Sequence, residues 1–228
     1  MKVLIFTTVW KRPEVTELTY MGFDRIQSIL KDSYDIDSEV LIVSSEPDHT
    51  ARAIVRGYHV FETDNFPVAT KYNNGLKEAM RYEWDYLFEM NSNNLLSNLY
   101  IHMWVAAAKA GLKVFGSRNF YAIMENKKDY KEFLTGAMTK ISSVGRGMQR
   151  ELMESIEGDF VTDLERNSNL DGMSNDVFGR EKIQPIAYKC FPAVLDIKTG
   201  EDLHHHSAGL KPVKKSLIRT FPELKHWM

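Results

Sequence analysis

The chain has 228 residues, of which 43% are hydrophobic and 26% charged, and its formal net charge is −2. These values are typical of a globular protein with a large core, and the charge balance argues against nucleic-acid binding over the whole surface. The single cysteine excludes an intrachain disulfide and favours a reducing compartment. No apolar run reaches the length of a membrane span, and the apolar start is too short for a signal peptide, so we expect a cytoplasmic protein.

The first half of the chain alternates short apolar runs with segments of helical periodicity. The apolar runs predict strands over 3–9, 39–44, 58–61 and 85–90. The periodic segments predict helices over 13–31, 51–56, 71–81 and 98–110. Helical connections of this length join parallel neighbours. We therefore predict an α/β fold with a mostly parallel central sheet flanked by helices.

Gly75 stands inside the third predicted helix. Glycine in a helix interior costs about 1 kcal/mol relative to alanine. Its presence there predicts a close approach of backbone or ligand.

The second half of the chain gives a weaker pattern. Strands are predicted over 114–123 and 187–197, and a helix from about Met148 follows glycines that indicate a turn. Five basic residues oppose only Glu223 in the segment 207–228: Lys211, Lys214, Lys215, Arg219 and Lys225. This segment is interpreted as a basic interaction surface or a solvated tail. No internal repeat or linker divides the chain, which favours one domain.

Three motifs of common nucleotide-binding and hydrolytic enzymes are absent from the sequence. No Gly-x-Gly-x-x-Gly follows the first strand, and neither Gly-x4-Gly-Lys-Ser/Thr nor Gly-x-Ser-x-Gly occurs. Their absence weighs against dinucleotide-dependent dehydrogenases, P-loop NTPases and α/β-hydrolases.

Polar side chains instead collect where the predicted strands end. They are Thr7, Thr8 and Arg12 after the first strand, Ser44, Ser45 and Asp48 after the second, Lys71 and Asn73 before the fourth, and Asn91, Ser92, Asn93 and Asn94 after the fourth. Carboxyl ends of parallel strands share one edge of a sheet, so these groups are expected to converge on one crevice. Lys71 could hold a phosphate there, while the Asn and Thr side chains could read a base or sugar. A residue of these types taken alone is more often a turn or helix cap, and it is their convergence that favours a binding site.

Five segments, in this order and spacing, resemble the GT-A glycosyltransferases, especially family 2-like enzymes and their short phage and bacterial relatives. The segments are TTVWKRPE, DNFPVATKYNNGL, DYLFEMNSNNLLS, LDGMS and VLDIKTGEDLHHH. The resemblance covers most of 1–100 and, more thinly, 165–206. It implies a nucleotide-sugar-binding half over 1–110, an acceptor and catalytic half over 111–206, and the basic tail over 207–228. The base of the donor is expected near the first two strand ends, with its diphosphate on Mg²⁺ or Mn²⁺.

The sequence departs from this family at the turn after the fourth strand. The family normally holds its cation there with an Asp-x-Asp turn, whereas this chain has Asn91, Ser92, Asn93 and Asn94. Neutral amide oxygens bind a divalent ion more weakly than carboxylates do. Three outcomes remain open: a metal-independent transferase, a weak metal site completed by the donor and a histidine, or a binding protein without catalysis. The asparagines could also cap the next helix.

The resemblance also implies positions for the remaining site residues. His204 and His206 are the candidate metal ligands, since they point the same way in an extended segment, although a surface loop explains them equally well. Asp171 is the first candidate and Asp176 the second for the general base that an inverting transfer needs. Either aspartate could instead cap a helix, and a retaining mechanism would need no such base.

The expected function is transfer of a sugar from a nucleotide diphosphate sugar to a hydroxyl acceptor. Glycans, proteins and modified DNA bases are candidate acceptors, and DNA is suggested by the basic tail together with Arg146 and Arg150. The alternative is a non-catalytic nucleotide- or carbohydrate-binding protein on the same fold. A nucleotidyltransferase is disfavoured, because no glycine-rich basic loop follows the first strand.

Overall fold

The computed structural model describes residues 1–117, 119–123, 129–134, 141, 143–165, 176–180, 182–188, 194–197, 211–212 and 215–227. Its helices are α1 (Pro13–Tyr34), α2 (Pro47–Val55), α3 (Val68–Ala79), α4 (Asn98–Lys109), α5 (Arg150–Ser155), α6 (176–180) and α7 (Lys215–Thr220), followed by a 3-10 helix (Pro222–His226). Its strands are β1 (Lys2–Thr8), β2 (Asp37–Ser44), β3 (His59–Glu62), β4 (Tyr86–Glu89), β5 (Asn94–Leu96), β6 (Val114–Ser117), β7 (Asn119–Ile123), β8 (Asp129–Leu134), β9 (Arg146–Gln149), β10 (Ile186–Tyr188), β11 (Val194–Ile197) and β12 (Lys211–Pro212).

The central sheet has seven strands in the order β10-β6-β9-β4-β1-β2-β3. Every neighbouring pair is parallel except those of β9, which lies antiparallel between β4 and β6. The predicted mostly parallel sheet flanked by helices is thereby confirmed. Strands β1 and β4 lie in its middle, so the loops that follow them open at the centre of the carboxyl edge.

Both faces of the central sheet are buried by helices, because side chains alternate along each strand. On β1, Val3 and Ile5 pack with α1 and α4 on one face, whereas Leu4 and Phe6 pack with α3 and α5 on the other. Each apolar cluster therefore includes residues from several strands, which fixes the register of the sheet.

A second sheet has five strands in the order β12-β8-β7-β11-β5. The sequence did not predict it. The predicted strand over 114–123 comprises β6 in the central sheet and β7 in the second, and the run over 187–197 contributes β10 to the central sheet and β11 to the second. Strand β5 begins at Asn94, the last residue of the polar segment 91–94 that follows β4. The two sheets therefore meet at this segment.

The segment over 215–227 packs onto the protein, which differs from a solvated tail. Its apolar side chains join Val15 and Leu18 of α1 and the second sheet in one buried cluster; they are Leu217, Phe221, Leu224 and Trp227. Glu223 is also buried and accepts from Arg25 Nε at 2.6 Å. Arg219 and Lys225 remain exposed. No helix in the described part of the chain is both long and apolar enough to cross a bilayer.

Candidate functional site

Lys71 lies at the centre of a polar cluster between the ends of β1 and β2. The side chain is 2% exposed, and its ammonium donates to Val9 O at 2.6 Å, Ser45 Oγ at 3.0 Å and Asn65 Oδ1 at 3.1 Å. An ammonium has three N–H groups, and these three acceptors use all of them. We call Val9, Ser45, Asn65 and Lys71 the lysine cluster.

The acceptors of the lysine cluster carry no charge, although they hold a cation. Burial lowers the pKa of Lys71 to about 8, and the negative charge of Glu46 opposes part of that shift. Lys71 is therefore charged at neutral pH and raises the potential at this edge of the sheet. Because its donors are already used, it acts on an anion through space rather than by direct contact.

The loop after β1 is held on its other side by His49 and Glu46. His49 Nε2 lies 2.9 Å from Lys11 O, and Glu46 Oε2 accepts from the backbone N–H of Lys11 at 2.7 Å. Lys11 and Arg12 both have left-handed backbones, with φ of 52° and 51°. That conformation is unfavourable for residues other than glycine and persists where several contacts impose it. Burial lowers the pKa of His49, which favours the neutral imidazole.

Two aromatic side chains lie beside the lysine cluster. The rings of Trp10 and Phe66 meet edge to face with centroids 5.4 Å apart, and Lys11 Nζ lies 4.5 Å from the centroid of Trp10. Phe66 is 57% exposed, and Trp10 is half-buried. Large exposed aromatics at a crevice are commonly binding surfaces.

The polar turn, Asn91 to Asn94, is closed by its own side chains. Asn94 Oδ1 accepts from the backbone N–H of Asn91 at 3.0 Å, and Thr19 of α1 donates to Ser92 O at 3.0 Å. Asn91 is half-buried, whereas the other three are buried. The asparagines do not cap α4, because Ser97 has that role and accepts from Tyr100 N at 3.1 Å.

Asp196 on β11 brings a carboxylate to the polar turn. Its Oδ1 accepts from Asn93 Nδ2 at 2.6 Å, and the backbones of Asn93 and Ile197 are joined by a 2.8 Å hydrogen bond. Asp196 is 6% exposed. A carboxylate from another strand therefore contacts the turn, whose own sequence contains none. Sequence reasoning missed this residue, since 103 positions separate it from Asn93.

A buried ion pair lies at the end of β4, next to the polar turn. Arg146 Nε donates to Glu89 Oε2 at 2.6 Å, each residue is 1% exposed, and Tyr72 donates to the other carboxylate oxygen. Burial raises the pKa of Tyr72, which stays protonated. Arg146 is accordingly not available to DNA, and Arg150 donates to the carbonyls of Tyr82 and Met80.

The Glu89–Arg146 ion pair contacts Phe178 of α6, and the first described residue of that helix is Asp176. The guanidinium of Arg146 lies 4.8 Å from the ring centroid of Phe160 and 5.6 Å from that of Phe178. Asp176 is exposed, two positions before the buried Phe178. A chain of contacts thus connects the end of β4 to the helix of one predicted general base. Asp171, His204 and His206 lie outside the described residues.

The other predicted site residues differ in how deeply they are buried and in whether they could face a ligand. Asn73 is 2% exposed and forms two hydrogen bonds with the backbone of Val161, at 2.7 and 3.0 Å, so its amide stabilises the fold. Thr7 is fully buried, Thr8 is half-buried, and Arg12 immediately precedes α1. Asp48 is exposed in the first turn of α2.

Comparison with solved structures identifies similar folds. S. aureus TarS residues 1–349 has a TM-score of 0.63 at 11% identity, covering 86% of this chain and 60% of that one. The same TarS fragment in complex with UDP-GlcNAc has a TM-score of 0.57 at 12% identity, with coverages of 91% and 62%. The mannosyltransferase PcManGT from Pyrobaculum calidifontis, in complex with GDP-Man and Mn²⁺, has a TM-score of 0.56 at 12% identity, with coverages of 86% and 56%.

The chain therefore spans about three fifths of the length of these structures. No family model matches the sequence, and no curated protein is similar to it at a significant level. At such low identity the structural likeness establishes the fold. The central sheet and its flanking helices form the GT-A fold that the sequence predicted.

Proposed function

We propose that the protein is a glycosyltransferase that moves a sugar from a nucleotide diphosphate sugar to a hydroxyl acceptor. The observation that carries this proposal is the placement of the buried charge of Lys71 at the carboxyl edge of a GT-A sheet. Ligands of open α/β sheets bind at that edge, and a cation held only by neutral groups favours an anionic ligand. Similar folds crystallised with UDP-GlcNAc and with GDP-Man support the choice of donor class.

The base of the donor would lie near the ends of β1 and β2. Trp10 and Phe66 offer aromatic surfaces there, and stacking on aromatic rings suits every nucleobase. Thr8, Arg12 and Asp48 border the same region on β1, its loop and α2. Lys71 then favours the diphosphate through its charge. Asn73 contributes indirectly, by anchoring α3 to Val161.

A divalent cation is part of the proposal, because the PcManGT structure contains Mn²⁺ with its donor. The candidate groups for such an ion are the carboxylate of Asp196, which contacts the polar turn from β11, and the amide oxygen of Asn91 within the turn. Within the described ranges, no three His, Cys, Asp or Glu side chains lie close enough together to hold a metal. One carboxylate suffices where phosphate oxygens and water complete the ligand set, as is common for Mg²⁺. When bound, the cation would neutralise charge on the departing diphosphate.

Asp171 and Asp176 stay the candidates for the general base. In an inverting transfer, the carboxylate accepts the proton of the acceptor hydroxyl as its oxygen attacks the anomeric carbon, and the nucleoside diphosphate leaves. The exposed position of Asp176 on α6 is compatible with access to an acceptor. We propose a glycan or a modified DNA base as that acceptor, with His204 and His206 as additional cation ligands.

Calorimetric titration of UDP-GlcNAc, GDP-Man and ADP-glucose tests the proposal, with Mn²⁺, with Mg²⁺ and with chelator. Saturable binding of at least one donor, followed by its slow hydrolysis, is expected. No binding of any donor would refute the transferase assignment. Binding without turnover in the presence of candidate acceptors would instead support a non-catalytic nucleotide-sugar-binding protein.

A further inference from the structure

The orientation of the Asn65 amide is fixed by its neighbours. Lys71 Nζ approaches Asn65 Oδ1 at 3.1 Å, and Ser45 Oγ approaches the same atom at 3.4 Å. An ammonium donates hydrogen bonds and cannot accept them, so the atom that faces Lys71 must be the amide oxygen. The amide nitrogen is consequently the atom that points away from the lysine cluster.

That nitrogen is buried without a hydrogen-bond partner among the residues that the structure describes. Buried donors in folded proteins nearly always have an acceptor, so an orphaned one at the carboxyl edge of the sheet, where ligands of open α/β sheets bind, is a candidate donor to a ligand. Asn65 follows β3 in the loop that leads to α3, beside Ser45 at the end of β2. It therefore lies where the base of a donor is proposed to bind.

The neighbouring aromatic ring provides a route to the amide. Phe66 is 57% exposed, and its ring contacts Trp10 edge to face. An exposed side chain changes rotamer at little cost, so a planar ligand that stacks on Trp10 can displace the ring of Phe66. Since Asn65 directly precedes Phe66 in the chain, movement of that ring would open the region beside the Asn65 amide.

We propose that Asn65 determines the base specificity of the site by donating, through Nδ2, to a carbonyl oxygen of the nucleobase. Uracil and guanine carry such an oxygen on the edge opposite the sugar, whereas adenine carries an amino group there. The protein should thus prefer uridine or guanosine diphosphates over adenosine diphosphate. This inference rests on the proposed function, since it requires a nucleotide in the crevice.

Two substitutions separate base reading from folding. Asn65→Asp keeps an oxygen for Lys71 and Ser45 but replaces the donor by an acceptor, and Asn65→Ala removes the donor without adding charge. Asn74→Asp on α3 is the matched control for the added charge, since Asn74 is half-buried on the next helix. Affinities for UDP, GDP, ADP and inorganic pyrophosphate are measured by calorimetry, with melting temperatures as the control for folding.

The readout is the ratio of affinities, because added negative charge weakens every anionic ligand alike. Wild type and Asn74→Asp should favour UDP or GDP over ADP by the same ratio, and that ratio should fall about tenfold in Asn65→Asp and several-fold in Asn65→Ala. Pyrophosphate should keep its affinity in Asn65→Ala, and its loss in Asn65→Asp, where the new carboxylate would pair with Lys71, measures the purely electrostatic part of the effect. Nucleotide binding with the same base ratio in wild type and both Asn65 variants would overturn the inference alone. Absence of nucleotide binding by the wild type would overturn the proposed function together with it.

Discussion

Asn93 Nδ2 donates to Asp196 Oδ1 at 2.6 Å and joins the turn after β4 to a strand of the second sheet. The contact changes how the polar turn is interpreted. Its amides appear in the sequence as lost carboxylates, yet one of them holds a carboxylate in place. Asp196 on β11 therefore brings a carboxylate to the turn, and the neutral amide of Asn93 does not cancel its charge.

Substituting Asn93→Asp tests whether the turn can hold a cation. The new carboxylate would face Asp196 where a hydrogen bond now exists, so the free energy of unfolding should fall by about 1–3 kcal/mol without metal. Mn²⁺ should recover part of this loss, since a cation between two carboxylates replaces repulsion with attraction. Thermal unfolding with Mn²⁺ and with chelator measures both effects.

Asn98→Asp is the control for the turn variant. Asn98 lies at the start of α4, and its side-chain oxygen accepts from Arg25, so a carboxylate there gains a cationic partner. We expect no loss of stability and no response to Mn²⁺. If Asn93→Asp also shows no response to Mn²⁺, the polar turn is not a cation site.

Lys71→Met tests the role of the buried charge in ligand binding. The pKa of Lys71 is about 8, so the wild type should bind UDP more weakly as the pH rises from 7 to 9 and this charge is lost. Lys71→Met should bind UDP roughly tenfold more weakly at pH 7, with a flatter pH profile. Calorimetry at the two pH values gives the comparison, and identical profiles for both proteins would contradict the role.

The lowered pKa of Lys71 also makes the free energy of unfolding depend on pH. The folded-state pKa of Lys71, about 8, lies below the ordinary lysine value of 10.5 that the unfolded chain retains. Between these values the unfolded chain binds more protons, so the contribution of Lys71 to stability rises with pH in that window. The difference in unfolding free energy between the wild type and Lys71→Met should therefore move in favour of the wild type above pH 8. Denaturant unfolding at pH 7.5 and 9.5 measures this difference.

The apolar runs and the helical periodicity of the sequence predicted β1 to β4 and α1 to α4, whereas β5, which lies between β4 and α4, was not predicted. Gly75 was also informative: an added Cβ would lie 2.4 Å from Val43 Cγ2, so the close approach that it predicted is that of α3 to the sheet. Helix α3 begins at Val68 rather than at Lys71, and Pro67 directly precedes it. The positions of these elements follow from patterns local in sequence, whereas the partner that Gly75 approaches does not.

The parts that sequence reasoning missed depend on contacts distant in sequence. Strand β9 contains Gly147, which was interpreted as a turn former, but an added Cβ there would lie 2.3 Å from the ring of Phe115. The glycine is required by packing between β9 and β6. Likewise, nothing in the apolar runs over 114–123 and 187–197 distinguishes residues of the first sheet from those of the second, because both sheets bury them.

Breaking the Glu89–Arg146 pair should destabilise the protein strongly. Arg146→Met leaves the carboxylate of Glu89 buried without its cation, which typically costs about 3–5 kcal/mol. The double variant Glu89→Gln, Arg146→Met should lose less than the sum of the two single variants, since no charge is left buried. Urea unfolding of the four proteins measures the coupling. Additive losses would show that the pair contributes only through packing.

Gly75→Ala should destabilise the protein despite the higher helix propensity of alanine. The added methyl group would lie 2.4 Å from Val43 Cγ2 and 3.1 Å from the ring of Phe6, and both side chains are buried in the sheet. Overpacking of this kind costs about 1–3 kcal/mol, which exceeds the gain of about 1 kcal/mol in propensity where the sheet cannot relax. Gly179→Ala on α6 is the control, because its added methyl group would meet no atom of the described residues within 4 Å. Urea unfolding should show Gly179→Ala at least as stable as the wild type and Gly75→Ala clearly less stable. Equal stability of the two variants would mean that α3 can move away from the sheet, and the lysine cluster would then not be rigidly held.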